Sequence, residues 1–201
     1  SALTTTTTGS SNTAVGKMAL YANTTGGANV AVGKDALKAN TTASNNTAVG
    51  YQSQEANTTG AQNSSFGLHT LRFNTTGADN TAVGHSALEA NTTASDNTAI
   101  GKNSLAANTT GANNVSVGKS ALTANTTGTQ NVAVGKDAGN TITTGNYNLC
   151  VGYNTDTGSA DSQRRFVIGQ DFNGTTNNAI HIGASGGHVR NDFLSDATWD
   201  Q

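Results

Sequence analysis

The chain has 201 residues, with 10 Lys and Arg against 12 Asp and Glu, a net charge of −2, and 34% hydrophobic residues. That balance supplies no basic surface of the kind that binds nucleic acid, no acidic tail, and no apolar run near the roughly 18 residues of a bilayer-crossing helix. No charged-then-apolar leader is visible. Gly, Asn and Thr dominate, a composition that signals disorder in an aperiodic chain; here it is strictly periodic, and the inference reverses.

Ser1-Ala2-Leu3 aligns with the Ala-Leu half of later repeats, so the chain is expected to begin in mid-repeat, as a piece of something longer. From Asn12 the pattern Asn-Thr-Ala-Val-Gly recurs at Asn29, Asn46, Asn63, Asn80, Asn97, Asn114, Asn131 and Asn148, always 17 residues on. So short a period, held without an insertion, predicts an all-β parallel solenoid, or β-roll, with one repeat per coil. The lack of Pro suits amides committed to ladders between coils. With about 4.8 Å per coil, ten coils would make a rod about 48 Å long.

Counting from the motif Asn, the fourth position holds Val15, Val32, Val49, Phe66, Val83, Ile100, Val117, Val134, Val151 and Ile168. Bulky and mostly β-branched, this column is expected to be the buried core of a strand. The second position alternates Thr with Val or Leu and is expected to lie on the same face, half-buried or buried with its hydroxyl satisfied. Between them a small residue (Ala14, Ala31, Ala48, Ser65, Ala82, Cys150 and their equivalents) implies close approach on the opposite face. A Gly then closes the strand where a turn needs positive φ or no Cβ. Leu20, Leu37, Leu71, Leu88, Leu105 and Leu122, interrupted by Gln54 and Gly139, predict a second anchor on a second short strand. Asn23, Asn40, Asn57, Asn74, Asn91, Asn108 and Asn125 open Asn-Thr-Thr segments. They are expected to form a hydrogen-bonded ladder, in preference to serving as the glycosylation sites their sequons formally spell.

Signals of chemistry are sparse. Asp35, Glu55, Asp79, Glu89, Asp96 and Asp137 are scattered over turn positions and do not define a catalytic pair. His69 and His85 fall at neighbouring positions one coil apart, without a third ligand of the kind zinc needs. Cys150, the sole cysteine, occupies a small-residue slot and reads as packing. No nucleophile elbow, phosphate loop or calcium nonapeptide is present. The expectation is a chain that is not an enzyme and carries no cofactor or metal.

Regularity fails near Gly139–Ile142 and dissolves in the polar stretch from Asp156 to Ser162. This predicts a shaft over 1–153 and a distal cap over 154–201, where Phe166, Phe172, Phe193 and Trp199 raise the aromatic content. In the strand Ala179–Gly183, His181 is expected to point outward, opposite a buried Ile180 and Ile182. Phe66, Leu68 and Phe73 mark a local bulge or an exposed contact patch.

The Asn-x-Ala-Val-Gly core with its following Ala-Leu resembles the head repeats of trimeric autotransporter adhesins, although this coil is a few residues longer. Asn178-Ala179-Ile180-His181-Ile182-Gly183, with His188–Phe193 and Asp196-Ala197-Thr198-Trp199, resembles the stretch preceding the self-cleaving intramolecular chaperone of phage tail fibres and tailspikes. Together these resemblances imply a homotrimeric, virion-borne tail-fibre shaft. It would attach to a host cell-surface receptor, glycans included, with no nucleic-acid partner and no membrane insertion. A bacterial trimeric adhesin head is the first alternative. Asn-x-Val-x-Gly repeats also resemble plant antifreeze β-rolls, and outward Thr24-Thr25 arrays make a monomeric ice-binding solenoid the second.

Overall fold

The computed structural model describes residues 3 and 7–184, and 187–192 as backbone. Over these residues the chain is all-β, a parallel solenoid of 17-residue coils. Nine three-residue strands come first: β1 (Thr13–Val15), β2 (Val30–Val32), β3 (Thr47–Val49), β4 (Ser64–Phe66), β5 (Thr81–Val83), β6 (Thr98–Ile100), β7 (Val115–Val117), β8 (Val132–Val134) and β9 (Leu149–Val151). Three six-residue strands follow, β10 (Arg165–Gln170), β11 (Ala179–Ala184) and β12 (Gly187–Asp192). Spatial order equals chain order in one 12-stranded sheet.

Register never slips along the array: Thr13 pairs Val30, Val30 pairs Thr47, and so on to Phe166 opposite Leu149. Even at Phe66 the pairing is regular, so the fourth repeat holds no bulge. Strands β1 to β9 stop after three residues because the following Gly adopts φ between +121° and +141° in every coil from Gly16 to Gly152. A Cβ on Gly33 would lie 2.3 Å from the carbonyl oxygen of Gly50 in the next coil, so no other residue fits.

After the glycine, the coil is a run of turns and contains no second strand. The leucine expected on such a strand sits instead in the left-handed region, with φ from 46° at Leu122 to 52° at Leu88. That conformation costs roughly 1–2 kcal/mol for an L-residue. It bends the chain back so that the leucine points inward, fully buried, which returns about 1.5–3 kcal/mol. Bonds to the next coil fix the bend, as in Leu20 N–H to Ala36 O at 3.0 Å and Ala22 N–H to Lys38 O at 3.0 Å.

The inward strand residue is the small third-position one. Ala31, Ala48, Ser65, Ala82, Ala99, Ser116, Ala133 and Cys150 are completely buried. This reverses the expected core. Val15, Phe66, Val83, Ile100, Val134 and Ile168 are 36–59% exposed, and Val32, Val49, Val117 and Val151 are half-buried. The reason is steric: with one alanine facing one leucine across so thin a coil, no room remains for two β-branched side chains per strand. Bulk is therefore tolerated only on the outer face.

A polar layer divides the interior into two apolar clusters, one from Ala19 to Ala48 and one from Leu71 to Phe172. Gln54 replaces the leucine there and donates from Nε2 to Ser65 Oγ at 2.8 Å, while Ser53 Oγ meets Ser65 Oγ at 2.6 Å and Thr70 Oγ1 at 2.9 Å. Further on, Ile142 is fully buried, and Gly139 takes the leucine position with φ 61°.

The parallel ladder crosses residue 153 unbroken, through β9 and β10. From β10 to β11 the offset shortens to 14 residues, Arg165 opposite Ala179, and β12 then pairs antiparallel with β11, ending the run of parallel strands. His181 is buried at 1% and Ile182 is 50% exposed, opposite to expectation, because β11 continues the alternation in which Val167 faces inward. Phe193, Asp196 and Trp199 lie outside the described residues.

Candidate interaction surface

Two asparagine ladders run up the inside of the coil wall. Asn40 Nδ2 donates to Asn23 Oδ1 at 2.8 Å, and the same bond joins Asn57 to Asn40, Asn74 to Asn57, Asn91 to Asn74, Asn108 to Asn91 and Asn125 to Asn108, at 2.8–3.1 Å. All seven residues are buried, so these sequon amides face protein acceptors. Each Nδ2 from Asn40 on also reaches the carbonyl three residues ahead, for example Asn91 to Ala94 O at 3.0 Å.

The second ladder, which sequence reasoning missed, uses the motif asparagine itself. Its Oδ1 accepts from the backbone N–H of the next motif residue: Asn29 N to Asn12 Oδ1 at 2.9 Å, continuing to Arg165 N on Asn148 Oδ1 at 3.1 Å. Its Nδ2 closes the turn of the following coil, as in Asn46 to Gly60 O at 2.9 Å. The signal was present in the Asn that opens every repeat. Both ladders hold the sheet in register and make a stiff platform for its outer face.

That face carries the second- and fourth-position side chains of β1 to β10. Between its half-buried Thr, Val, Ser and Leu and its exposed Val, Ile and Phe, it forms one apolar stripe along the sheet. Two exposed columns border it. One follows the glycine and includes Lys17, Lys34, His85, Lys102, Lys119 and Lys136; the other precedes the motif Asn and includes Asp79, Asp96, Asn113, Gln130, Tyr147 and Arg164.

The Asn-Thr-Thr column differs in kind. Thr24 and its equivalents are half-buried, and each hydroxyl donates to a threonine carbonyl in the next coil, Thr24 Oγ1 to Thr41 O at 3.0 Å and Thr109 Oγ1 to Thr126 O at 3.0 Å. Only the following threonine, Thr25 and its equivalents, faces solvent.

Several ionisable groups have structural partners. His69 and His85 ring centres are 6.4 Å apart and His69 Nδ1 lies 3.8 Å from Glu89 Oε1; among the described residues no three His, Cys, Asp or Glu converge as a metal site. Asp35 is buried, with Lys34 at 3.8 Å and Lys38 at 3.9 Å, and Glu55 pairs with Arg72 at 3.0 Å. Burial, with the Asp156 charge second, pushes the Cys150 thiol far up, so it is neutral and inert. Arg165, the first residue of β10, is buried, donating from Nη1 to Thr157 O and Gly174 O and from Nε to Asn177 Oδ1 at 2.8 Å. Desolvation lowers its pKa and the Asp161 charge opposes that shift. On the back of the first four coils a shallow groove of about 450 Å³ runs over Ala22, Ala39 and Ala56 between Tyr21 and Phe73. Phe66, Leu68 and Phe73 are all exposed, but Phe66 belongs to the strand stripe and Phe73 to this groove. No helix among the described residues is long and apolar enough to cross a membrane.

In comparisons with known proteins, no family model, curated sequence or solved structure matches the chain.

Proposed function

We propose that this chain is the shaft of a homotrimeric, tail-fibre-like adhesin, a structural protein whose task is to hold a receptor-contacting surface at the end of, or along, a stiff rod. The observation that supports this most is the outer strand face. A stripe of exposed and half-buried Val, Ile and Phe runs from Val15 to Ile168, while the interior of a coil such as that of Leu37 holds one Leu, a few Ala and two Asn. A coil this thin buries little by itself, and three copies packed face to face around an axis would bury the stripe as a common core. Three identical shafts would also convert weak receptor contacts into avidity. On this reading the protein is carried on a virion and its partners are its own copies and a host surface receptor, glycans included.

The bacterial adhesin head shares this surface and would differ in being joined to a coiled coil and a membrane anchor. The ice-binding reading is less well supported. The Thr24 column commits its hydroxyls to neighbouring carbonyls, and the strand face mixes Thr with Val, Leu and Phe, so no two-dimensional threonine array results.

Light scattering tests the proposal directly, with about three times the 20.2 kDa chain mass expected. Val83→Asp with Val117→Asp should give a monomer that keeps its β circular dichroism. A trimer unchanged by both substitutions, or a wild-type monomer, would overturn it.

A further inference from the structure

The two columns bordering the apolar stripe differ in charge. Past the glycine stand Lys17, Lys34, Lys102, Lys119 and Lys136, half of the ten Lys and Arg in the chain, and no carboxylate. Lys102, Lys119 and Lys136 are stacked one coil apart, about 4.8 Å, where like charges repel. Lys17, Lys102 and Lys119 have no ion-pair partner among the described residues, nor do Asp79 and Asp96 on the other border. All are exposed.

Residue by residue, the borders match across each strand. Where the front column is acidic, at Asp79 and Asp96, the same strand's far column holds His85 and Lys102. Lys17, Lys119 and Lys136 stand across from Ser11, Asn113 and Gln130, which offer oxygen acceptors. Lys34 stands across from Ala28, and this is a lysine already held by Asp35 in its own chain, at 3.8 Å. The one cation of the front column, Arg164, stands across from uncharged Gln170 and rests on Tyr147 at 5.2 Å. No coil sets like charges on its two borders. Within one chain these borders lie at opposite ends of a strand and cannot meet.

We infer that the copies of this chain associate parallel and in coil-for-coil register, the lysine border of each facing the aspartate border of the next, with Lys102 against Asp96 and His85 against Asp79. The inference rests on the homotrimer proposed above and adds its orientation, register and contacts. Rotation about an axis along the rod keeps every coil at its own height and brings opposite borders together, a heterologous contact that closes into a ring. An antiparallel pair would set the lysine border against its own copy; a parallel pair shifted by one coil would place Lys102 at Asp79 and Lys119 at Asp96, but a shifted contact repeated around the axis climbs as a helix and does not close. Charge thus selects the parallel orientation, which the nearly uniform apolar stripe leaves unspecified, and closure of the ring sets the register.

The test is site-directed cross-linking of the full chain. Asp96→Cys with Lys102→Cys, oxidised or bridged with a short bismaleimide, should give a covalent trimer on a denaturing gel. Asp96→Cys with Lys34→Cys, whose sites stand four coils apart, should give none; buried Cys150 stays silent in both. A trimer by scattering that fails to cross-link at 96 and 102, or cross-links equally in the control pair, overturns the register while leaving the trimer standing; a monomer removes both. As a second reading, Lys102→Glu should lower the trimer fraction at dilution and Asp96→Lys added to it should restore it. Failure of that rescue in a chain that still folds also counts against the pairing.

Discussion

Ala99 and Ile100 are neighbours on β6, yet one is sealed inside the coil and the other is 40% open to water. The contrast runs along the whole array and separates two kinds of specification. Inside, a narrow gap accepts one small and one long side chain, and the asparagine ladders fix the spacing between coils. Outside, bulk is unrestricted by the coil itself, and what limits it must come from a neighbour.

Substitutions on the two sides should therefore behave differently. Leu88→Ala removes a fully buried anchor and should cost the coil roughly 2–5 kcal/mol, read as a lowered midpoint in denaturant. Filling the gap from the other side with Ala99→Leu should cost about 1–3 kcal/mol by overpacking. Asn91→Ala strips a donor from Asn74 Oδ1 and Ala94 O; it and Asn108→Ala should each cost roughly 1–3 kcal/mol for buried groups left unpaired, read as a lowered melting temperature. Gln54→Leu should go the other way by about 1 kcal/mol, because it joins the two apolar clusters and removes Gln54 Oε1, a buried acceptor without a partner. The smallest effect on the isolated coil belongs to the outer face: Ile100→Thr should shift monomer stability by no more than about 0.5 kcal/mol while reducing self-association. If Ile100→Thr destabilised the monomer as much as Leu88→Ala, the division between the two faces would be wrong. Cys150 provides a further probe of the interior, since a neutral buried thiol should react with a disulfide reagent only as fast as the coil opens.

Periodicity made the solenoid, its 17-residue coil and the Asn23-type ladder legible in the sequence. The inside and outside of the strand were inverted because bulky, β-branched residues were equated with burial, as holds in sheets thick enough to interlock. The better signal was restriction: a column that admits only Ala, Ser or Cys has less room than one that admits Val, Ile and Phe alike. Left-handed leucines were illegible for a different reason. Leu20 and Leu37 carry a backbone penalty that only the burial and inter-coil bonds of the finished coil offset, and no local propensity announces it. His181 was misplaced by the same equation of Ile with interior, applied to β11.

Each strand of the sheet touches only the strands before and after it, and every ladder bond spans one repeat. The rod is therefore a ruler with divisions of about 4.8 Å. Duplicating or deleting whole leucine-bearing 17-residue units would change reach without disturbing either end, since the new junction repeats the same inter-coil pairings. A gain of two coils would extend the shaft by about 10 Å, and distance to a surface could be tuned by recombination among the repeats alone.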